Sequence, residues 1–294
     1  MPATECTVDP DGAALPGLLN LPAGPARGGV VALHGAEAGA HSYFLYAHLA
    51  ALLPPAGVAV LRYDRRPAPD GGDVPFAAQA ADARAAVALL RRELGPLPVG
   101  LWGYSQGGWA AIEAADADRT VAFLVLVSAA GVSPARQMRY GTAEQLRRHG
   151  YGGPALAELA GLRATVEDYL RGRLPRASAQ AEVDRLADRP WFPLAYVRRR
   201  LPGPGAWPEL DHDPAPAFGR LRRPALVFYG ESDEWTPVDD SVAAWRRVAE
   251  PPGPRVVRLA GCGHLPTRGG AEDRAAVSPA YEAELLGWLD RVLP

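Results

Sequence analysis

The 294-residue chain contains no lysine; all 31 of its basic residues are arginine. That excludes a Schiff-base lysine and the phosphate-holding lysine of a P-loop. Cysteine is nearly as scarce. Cys6 and Cys262 are too few for a disulfide framework or a cysteine-built zinc site. No run approaches the roughly 18 uninterrupted apolar residues of a membrane span. The opening Met1-Pro2-Ala3-Thr4-Glu5-Cys6 has neither the basic nor the apolar region of a signal peptide, so a cytoplasmic location is expected. Charge of one sign is also lacking. A formal net charge of −2 gives no global field for nucleic acid or anionic membrane, and neither is expected as a partner. What is abundant is glycine (32), proline (30) and hydrophobic residues (48%), enough for one large core with an inserted subdomain.

Short apolar runs alternate with Ala-rich amphipathic stretches. Residues 30–33, 58–63, 98–102, 121–127, 225–229 and 256–259 read as strands. Residues 42–53, 77–94, 108–115, 238–248 and 279–292 read as helices, with Asp82 and Arg84 on the polar face of 77–94. This α/β alternation predicts a mostly parallel sheet covered by helices on both faces. The rhythm breaks between 133 and 216. There, 136–149, 154–173 and 177–189 read as helices separated by Gly and Pro. The expected organisation is a core of 1–132 and 217–294, interrupted by a helical insertion at 133–216, about 80 residues and within the range of a subdomain.

Gly103-Tyr104-Ser105-Gln106-Gly107 lies between a predicted strand and a predicted helix. Strand, G-x-S-x-G, helix is the pattern of a nucleophile elbow. The turn is tight, the flanking positions must be small, and the hydroxyl is held above the sheet edge beside a helix N-terminus. Alone the pentapeptide is weak in so Gly-rich a chain. Ser105 also needs a base, and the base an orienting acid. Asp233, in Gly230-Glu231-Ser232-Asp233, follows one predicted strand; His264, in Gly261-Cys262-Gly263-His264, follows another. Asp233 also reads as a turn residue capping the next helix, a role Asp239 or Asp240 could fill, and Glu231 and Glu234 are rival acids. Cys262 reads as a small loop residue, not a nucleophile. The backbone N–H groups of Ala36, after His34-Gly35, and of Gln106 are the candidate oxyanion donors; losing one such donor costs about 3 kcal/mol. His34 reads as a loop brace.

Together His34-Gly35, Asp64-Arg65, the Ser105 pentapeptide, Gly230-x-x-Asp233 and Gly263-His264 resemble the α/β-hydrolase superfamily. The resemblance covers the chain outside the insertion. Leu61-Arg62-Tyr63-Asp64-Arg65-Arg66, Ala122-Phe123-Leu124-Val125-Leu126 and Asp213-Pro214-Ala215-Pro216 are similar to bacterial capped serine esterases related to the prolyl-oligopeptidase branch. Two departures stand out. Arg66-Pro67-Ala68-Pro69 replaces the usual Gly-rich turn, and the oxyanion strand lacks an HGGG run. Asp64 and Arg65 read as a charge pair bracing loops. Arg198-Arg199-Arg200 reads as a solvated helix face, with attraction of an acidic substrate as the alternative.

The resemblance implies an α/β-hydrolase fold with a helical cap after the sixth strand. It implies a serine hydrolase with Ser105, Asp233 and His264 as catalytic residues, needing no metal or cofactor. The expected pocket is large, apolar and mostly uncharged, lined by Tyr104, Met138, Tyr140, Trp191, Phe192, Tyr196 and Trp207, with Tyr151 nearby. Such a pocket suits a small hydrophobic acyl or aromatic ester. Alternatives are a thioesterase, acyl transferase or non-hydrolytic cyclase on carrier-bound intermediates, or a non-catalytic binder on the same scaffold. Expected partners are a small-molecule substrate, with a carrier protein and a second copy of the chain as further candidates.

Overall fold

In strand β3 (Gly28–Leu33), Val31 and Leu33 join the apolar cluster on one face of the sheet, Val30 and Ala32 that on the other. Alternate side chains of a strand point to opposite faces, so a run of apolar residues without alternation marks a strand buried on both sides. The same holds for β4 (Val58–Tyr63), β5 (Val99–Tyr104), β6 (Val121–Val127) and β7 (Ala225–Gly230). With β1 (Thr4–Val8), β2 (Leu15–Asn20) and β8 (Arg255–Leu259) they form a sheet in the order β1-β2-β4-β3-β5-β6-β7-β8. β2 runs antiparallel to both neighbours; β4, β3 and β5 to β8 are parallel. The computed structural model describes residues 3–36, 39–68, 73–249 and 253–294.

Helices α2 (Phe76–Leu94), α3 (Gln106–Ala117), α7 (Ala215–Arg220) and α8 (Val238–Val248) cover one face of the sheet. α1 (Phe44–Leu52) and α9 (Pro279–Val292) cover the other. The six parallel strands lie where the apolar runs predict them. β1 and β2 carry no such signal. They form an edge hairpin in which Thr4, Glu5, Thr7 and Pro16 are exposed, and Pro16 and Gly17 interrupt the apolar pattern of β2. α7 begins at Ala215 and packs on α3 and α8. Asp82 corrects the helical-face reading of 77–94. It is buried on α2, where Arg66 forks onto its carboxylate, because a buried acid requires such a partner.

Between β6 and β7 lie α4 (Pro134–Arg148), α5 (Gly153–Leu170), α6 (Arg176–Leu186) and a short 3-10 turn at Phe192–Ala195. They pack an apolar cluster of their own, which includes Leu146, Leu162, Val183 and Leu186. Glu167, 1% exposed, is paired with Arg139 and Arg171. Arginine likewise supplies the cation of the surface pairs Arg27–Asp290, Arg220–Asp116 and Arg255–Glu284. No helix among the described residues is long and apolar enough to cross a membrane.

One buried polar chain ties the sheet to α8. The Trp245 indole N–H donates to the Tyr229 hydroxyl at 2.7 Å, and that hydroxyl donates to the Ala129 carbonyl at 2.6 Å. Tyr229→Phe removes the link and strands two buried partners, which costs about 1–3 kcal/mol. Urea unfolding followed by tryptophan fluorescence should show a lower midpoint with an unchanged slope; an unchanged midpoint contradicts this account.

Candidate active site

β5 runs straight into α3 through Ser105, whose φ is 51° and ψ −117°. A side chain in this region is strained and must be held there by its surroundings. The hold comes from close packing. A Cβ on Gly103 would lie 2.4 Å from the Gly107 carbonyl oxygen, and one on Gly107 would lie 2.7 Å from the carbonyl oxygens of Leu33 and His34. The Ser105 N–H donates to the Val127 carbonyl at 2.8 Å, which pins the turn to the end of β6.

The Ser105 hydroxyl lies 2.9 Å from His264 Nε2. On the other side of the ring, Nδ1 lies 2.9 Å from Asp233 Oδ1 and 3.1 Å from Oδ2. Asp233 follows β7, is 3% exposed, and accepts the backbone N–H groups of Trp235 (2.9 Å) and Thr236 (2.8 Å) on Oδ1. It is thus both a turn residue and the acid facing the imidazole. Glu231 is exposed, and Glu234 accepts the His264 backbone N–H at 3.3 Å, not the ring, and lies 3.8 Å from Arg148. Cys262 is buried, and burial pushes its thiol pKa up, away from the nucleophilic thiolate.

Burial opposes a charge on His264, but the Asp233 charge and hydrogen bond, with Glu234 behind them, outweigh it. The pKa is raised above the ordinary histidine value. Two residues with no sequence signature fix the loop. Ser128, at the end of β6 with φ 54°, donates from its hydroxyl to the His264 carbonyl at 2.6 Å, and Thr236 donates to the Ser128 carbonyl at 3.0 Å. Their one clue is position, at or after the carboxyl ends of parallel strands, where α/β sheets place their sites.

On the oxyanion side, Gln106 opens α3, and the first N–H groups of a helix have no intrahelical acceptor. Arg65 links the two candidate donors. It donates to the Ala36 carbonyl at 2.7 Å and pairs with Asp73, whose other oxygen takes the Gln106 side-chain amide. Arg65 therefore does not pair with Asp64, contrary to expectation. Asp64 accepts the His41 N–H at 2.7 Å and its ring Nδ1 at 2.6 Å, because adjacent residues leaving a strand point apart. His34 is a brace. It bonds the Tyr63 carbonyl and stacks edge-on against Tyr46 and Tyr63, and burial lowers its pKa to about 4, so it is neutral. In the unusual 66–69 turn, Arg66 goes to Asp82; Pro69 lies outside the described residues.

A cavity of about 230 Å³ adjoins this network through Asp73. Tyr196 and Trp207 line it, as do Val166, Leu170 and Leu201. So do Arg163, Glu167 and Arg198, which corrects the expectation of an uncharged pocket. Trp191 and Phe192 are corrected too. They are 3% exposed within the apolar cluster of the inserted helices, which needs their bulk to exclude water, and they are not on the cavity wall. Tyr104 packs 5.5 Å from the His264 ring. Tyr140 donates to the Asp233 carbonyl at 3.1 Å, Met138 is half-buried on α4, and Tyr151 packs against the inserted cluster. Trp235, not singled out by the sequence, bridges the acid loop to the insertion through edge contact with Tyr196 and a close approach to Gly141. The 198–200 arginines follow the 3-10 turn and form no helix face. No cluster of three or more His, Cys, Asp or Glu able to hold a metal occurs among the described residues.

Residues 30–280 match the sequence model of the Alpha/beta hydrolase family. The chain belongs to that family. Solved structures similar to this hydrolase include a proline iminopeptidase of Mycobacterium smegmatis (18% identity, TM-score 0.62, 98% of each chain covered). A Pyrococcus furiosus esterase is 16% identical, with TM-score 0.61 over 100% of this chain and 92% of that one. The esterase domain of a Rhodothermus marinus protein is 20% identical, with TM-score 0.59 and 99% of each chain covered. At these identities the likeness is one of fold. No curated protein matches the chain.

The charge balance around His264 is directly measurable. Its imidazole, followed by NMR, should titrate above the ordinary value of about 6.5. Asp233→Asn should move the titration downward, since burial then acts with less opposition. A wild-type value at or below the ordinary one contradicts the assigned electrostatics.

Proposed function

We propose that this protein is a serine hydrolase that cleaves carboxylic esters, or thioesters, through an acyl-enzyme. The supporting observation is the continuous hydrogen-bonded line from the Ser105 hydroxyl through His264 to Asp233. In this reading His264 Nε2 takes the Ser105 proton as Oγ bonds to the substrate carbonyl carbon. The Ala36 and Gln106 N–H groups stabilise the oxyanion, and Asp233 holds the tautomer and steadies the imidazolium. His264 then returns the proton to the departing alcohol or thiol. Water, activated by the same base, releases the acid and restores Ser105.

The inserted helices at 133–216 act as the cap, supplying the wall that selects substrate. An aminopeptidase reading is disfavoured. A substrate ammonium needs a carboxylate, but the cavity acids are occupied, Glu167 by Arg139 and Arg171 and Asp73 by Arg65 and Gln106. A fluorophosphonate should label Ser105, and Ser105→Ala should abolish labelling and lower 4-nitrophenyl ester turnover by roughly 10⁴-fold or more. Labelling at another residue overturns the proposal.

Arg65 is assigned as the residue that positions both oxyanion donors. Arg65→Gln should lower kcat by about tenfold or more, leave KM little changed, and weaken a boronate transition-state mimic in parallel with kcat. Loss of one donor altogether sets the upper bound, about 3 kcal/mol. A change confined to thermal stability would show that Arg65 only braces the loop.

A further inference from the structure

We infer that the cavity that Asp73 joins to the Gln106 side chain is a carboxylate-binding pocket with Arg163 as its anion-binding group, so that the substrate carries a carboxylate on the portion that fills it. The inference rests on the hydrolase reading and deepens it. Arg163 lies on α5, is 4% exposed, and lines the cavity. Its Nε has no hydrogen-bond partner among the described residues, and its Nη1 reaches only the Ala195 carbonyl, at a long 3.4 Å. Its nearest acid, Glu167, stands 3.8 Å from Nε, beyond hydrogen-bond distance.

Glu167 is engaged elsewhere. Its oxygens take a fork from Arg139, with Nε at 3.0 Å, and Nη1 of Arg171 at 3.2 Å. Arg171 in turn forks onto Asp211 at 2.6 and 2.5 Å. Three guanidinium groups thus share two carboxylates, and Arg163 is the one whose ion pair with Glu167, at 3.8 Å, carries no hydrogen bond. Burial lowers its pKa to about 10, so it stays charged at neutral pH. An under-paired buried cation is costly, and a partner that arrives from outside removes the cost.

The chemistry of that partner follows from the wall. A guanidinium offers Nε–H and Nη–H in a fork that matches the two oxygens of a carboxylate. Glu167 lines the same cavity 3.8 Å from Arg163, and its negative charge repels a doubly charged phosphate more than a singly charged carboxylate. Arg198 stands on the same wall, while Val166, Leu170, Leu201 and Trp207 give the rest an apolar surface. An ester with an apolar stem ending in a carboxylate meets both parts.

The test uses wild-type protein first. Two ester series of graded length carry the carboxylate on either side of the scissile bond: 4-nitrophenyl monoesters of succinic to suberic acid, and acetyl esters of ω-hydroxy acids. Each is compared with its methyl-capped neutral counterpart. At the matching length in one series, kcat/KM for the anion should exceed that of its counterpart by about ten- to a hundredfold, mainly through KM, the range of a charge-assisted hydrogen bond. Arg163→Gln should bring that ratio to within about twofold of unity. Equal handling of every pair in both series overturns the inference.

A second measurement does not depend on the variant folding. Free glutarate, adipate or suberate should protect wild-type Ser105 from the fluorophosphonate at concentrations about tenfold below those of the corresponding diamides. Equal protection, or none, overturns the inference and shows that Arg163 only holds the insertion together. Ser105 labelling that fails altogether counts against the hydrolase reading, and labelling without anion preference counts only against the carboxylate pocket.

Discussion

Ser105 holds a backbone conformation that a residue with a side chain adopts only under constraint, and the neighbouring architecture exists around that constraint. The strand before it and the helix after it must nearly touch, and α3 must also press against the end of β3. Small residues at 103 and 107 make that approach possible. The N–H bond from Ser105 to Val127 then fixes the turn against β6, whose next residue, Ser128, carries the tie to the His264 loop. The strained residue is therefore held by three strands at once, and those strands are buried on both faces.

The imidazole loop is positioned mainly by bonds that involve the main chain. The His264 carbonyl is held by Ser128 and its N–H by Glu234, while Asp233 is oriented by the N–H groups of Trp235 and Thr236. Side chains of suitable type could form the same contacts at other positions, so these ties leave little trace in residue pattern. The charged groups behave alike. Asp82, Glu167 and Asp233 are all nearly inaccessible, and each has a cationic or N–H partner. Among the described residues, each buried acid has such a partner, as the cost of an isolated charge requires.

Those regularities explain what could be read in advance. The five central parallel strands were legible because burial on both faces forces continuous apolar runs, and β8, at the edge, was legible by its shorter Val256-Val257 core. The elbow was legible because a tight turn forces small residues at fixed spacing. The acid and base could be narrowed to a few positions, because carboxyl ends of strands converge on one edge. The edge hairpin was not legible, since exposed Thr4, Glu5, Thr7 and Pro16 dilute its apolar signal. Trp191 and Phe192 misled because an aromatic residue in an insertion serves a local core as readily as a pocket wall. Arg65, Asp73 and Arg163 were invisible as a group. Ion-pair partners come from distant segments, and nothing in local spacing tells which arginine meets which acid.

The exclusive use of arginine has a consequence for alkaline tolerance. A lysine ammonium gives up its proton near pH 10.4, whereas a guanidinium keeps its own to above pH 12. Pairs such as Arg27–Asp290, which joins the approach to β3 with α9, and Arg220–Asp116, which joins α7 with α3, remain ionic where lysine equivalents would be discharging. Burial also raises the pKa values of Tyr46, Tyr63, Tyr229 and Tyr281, so these phenols resist ionisation over the same range. Neither these pairs nor these phenols give strong base an early point of attack on the fold.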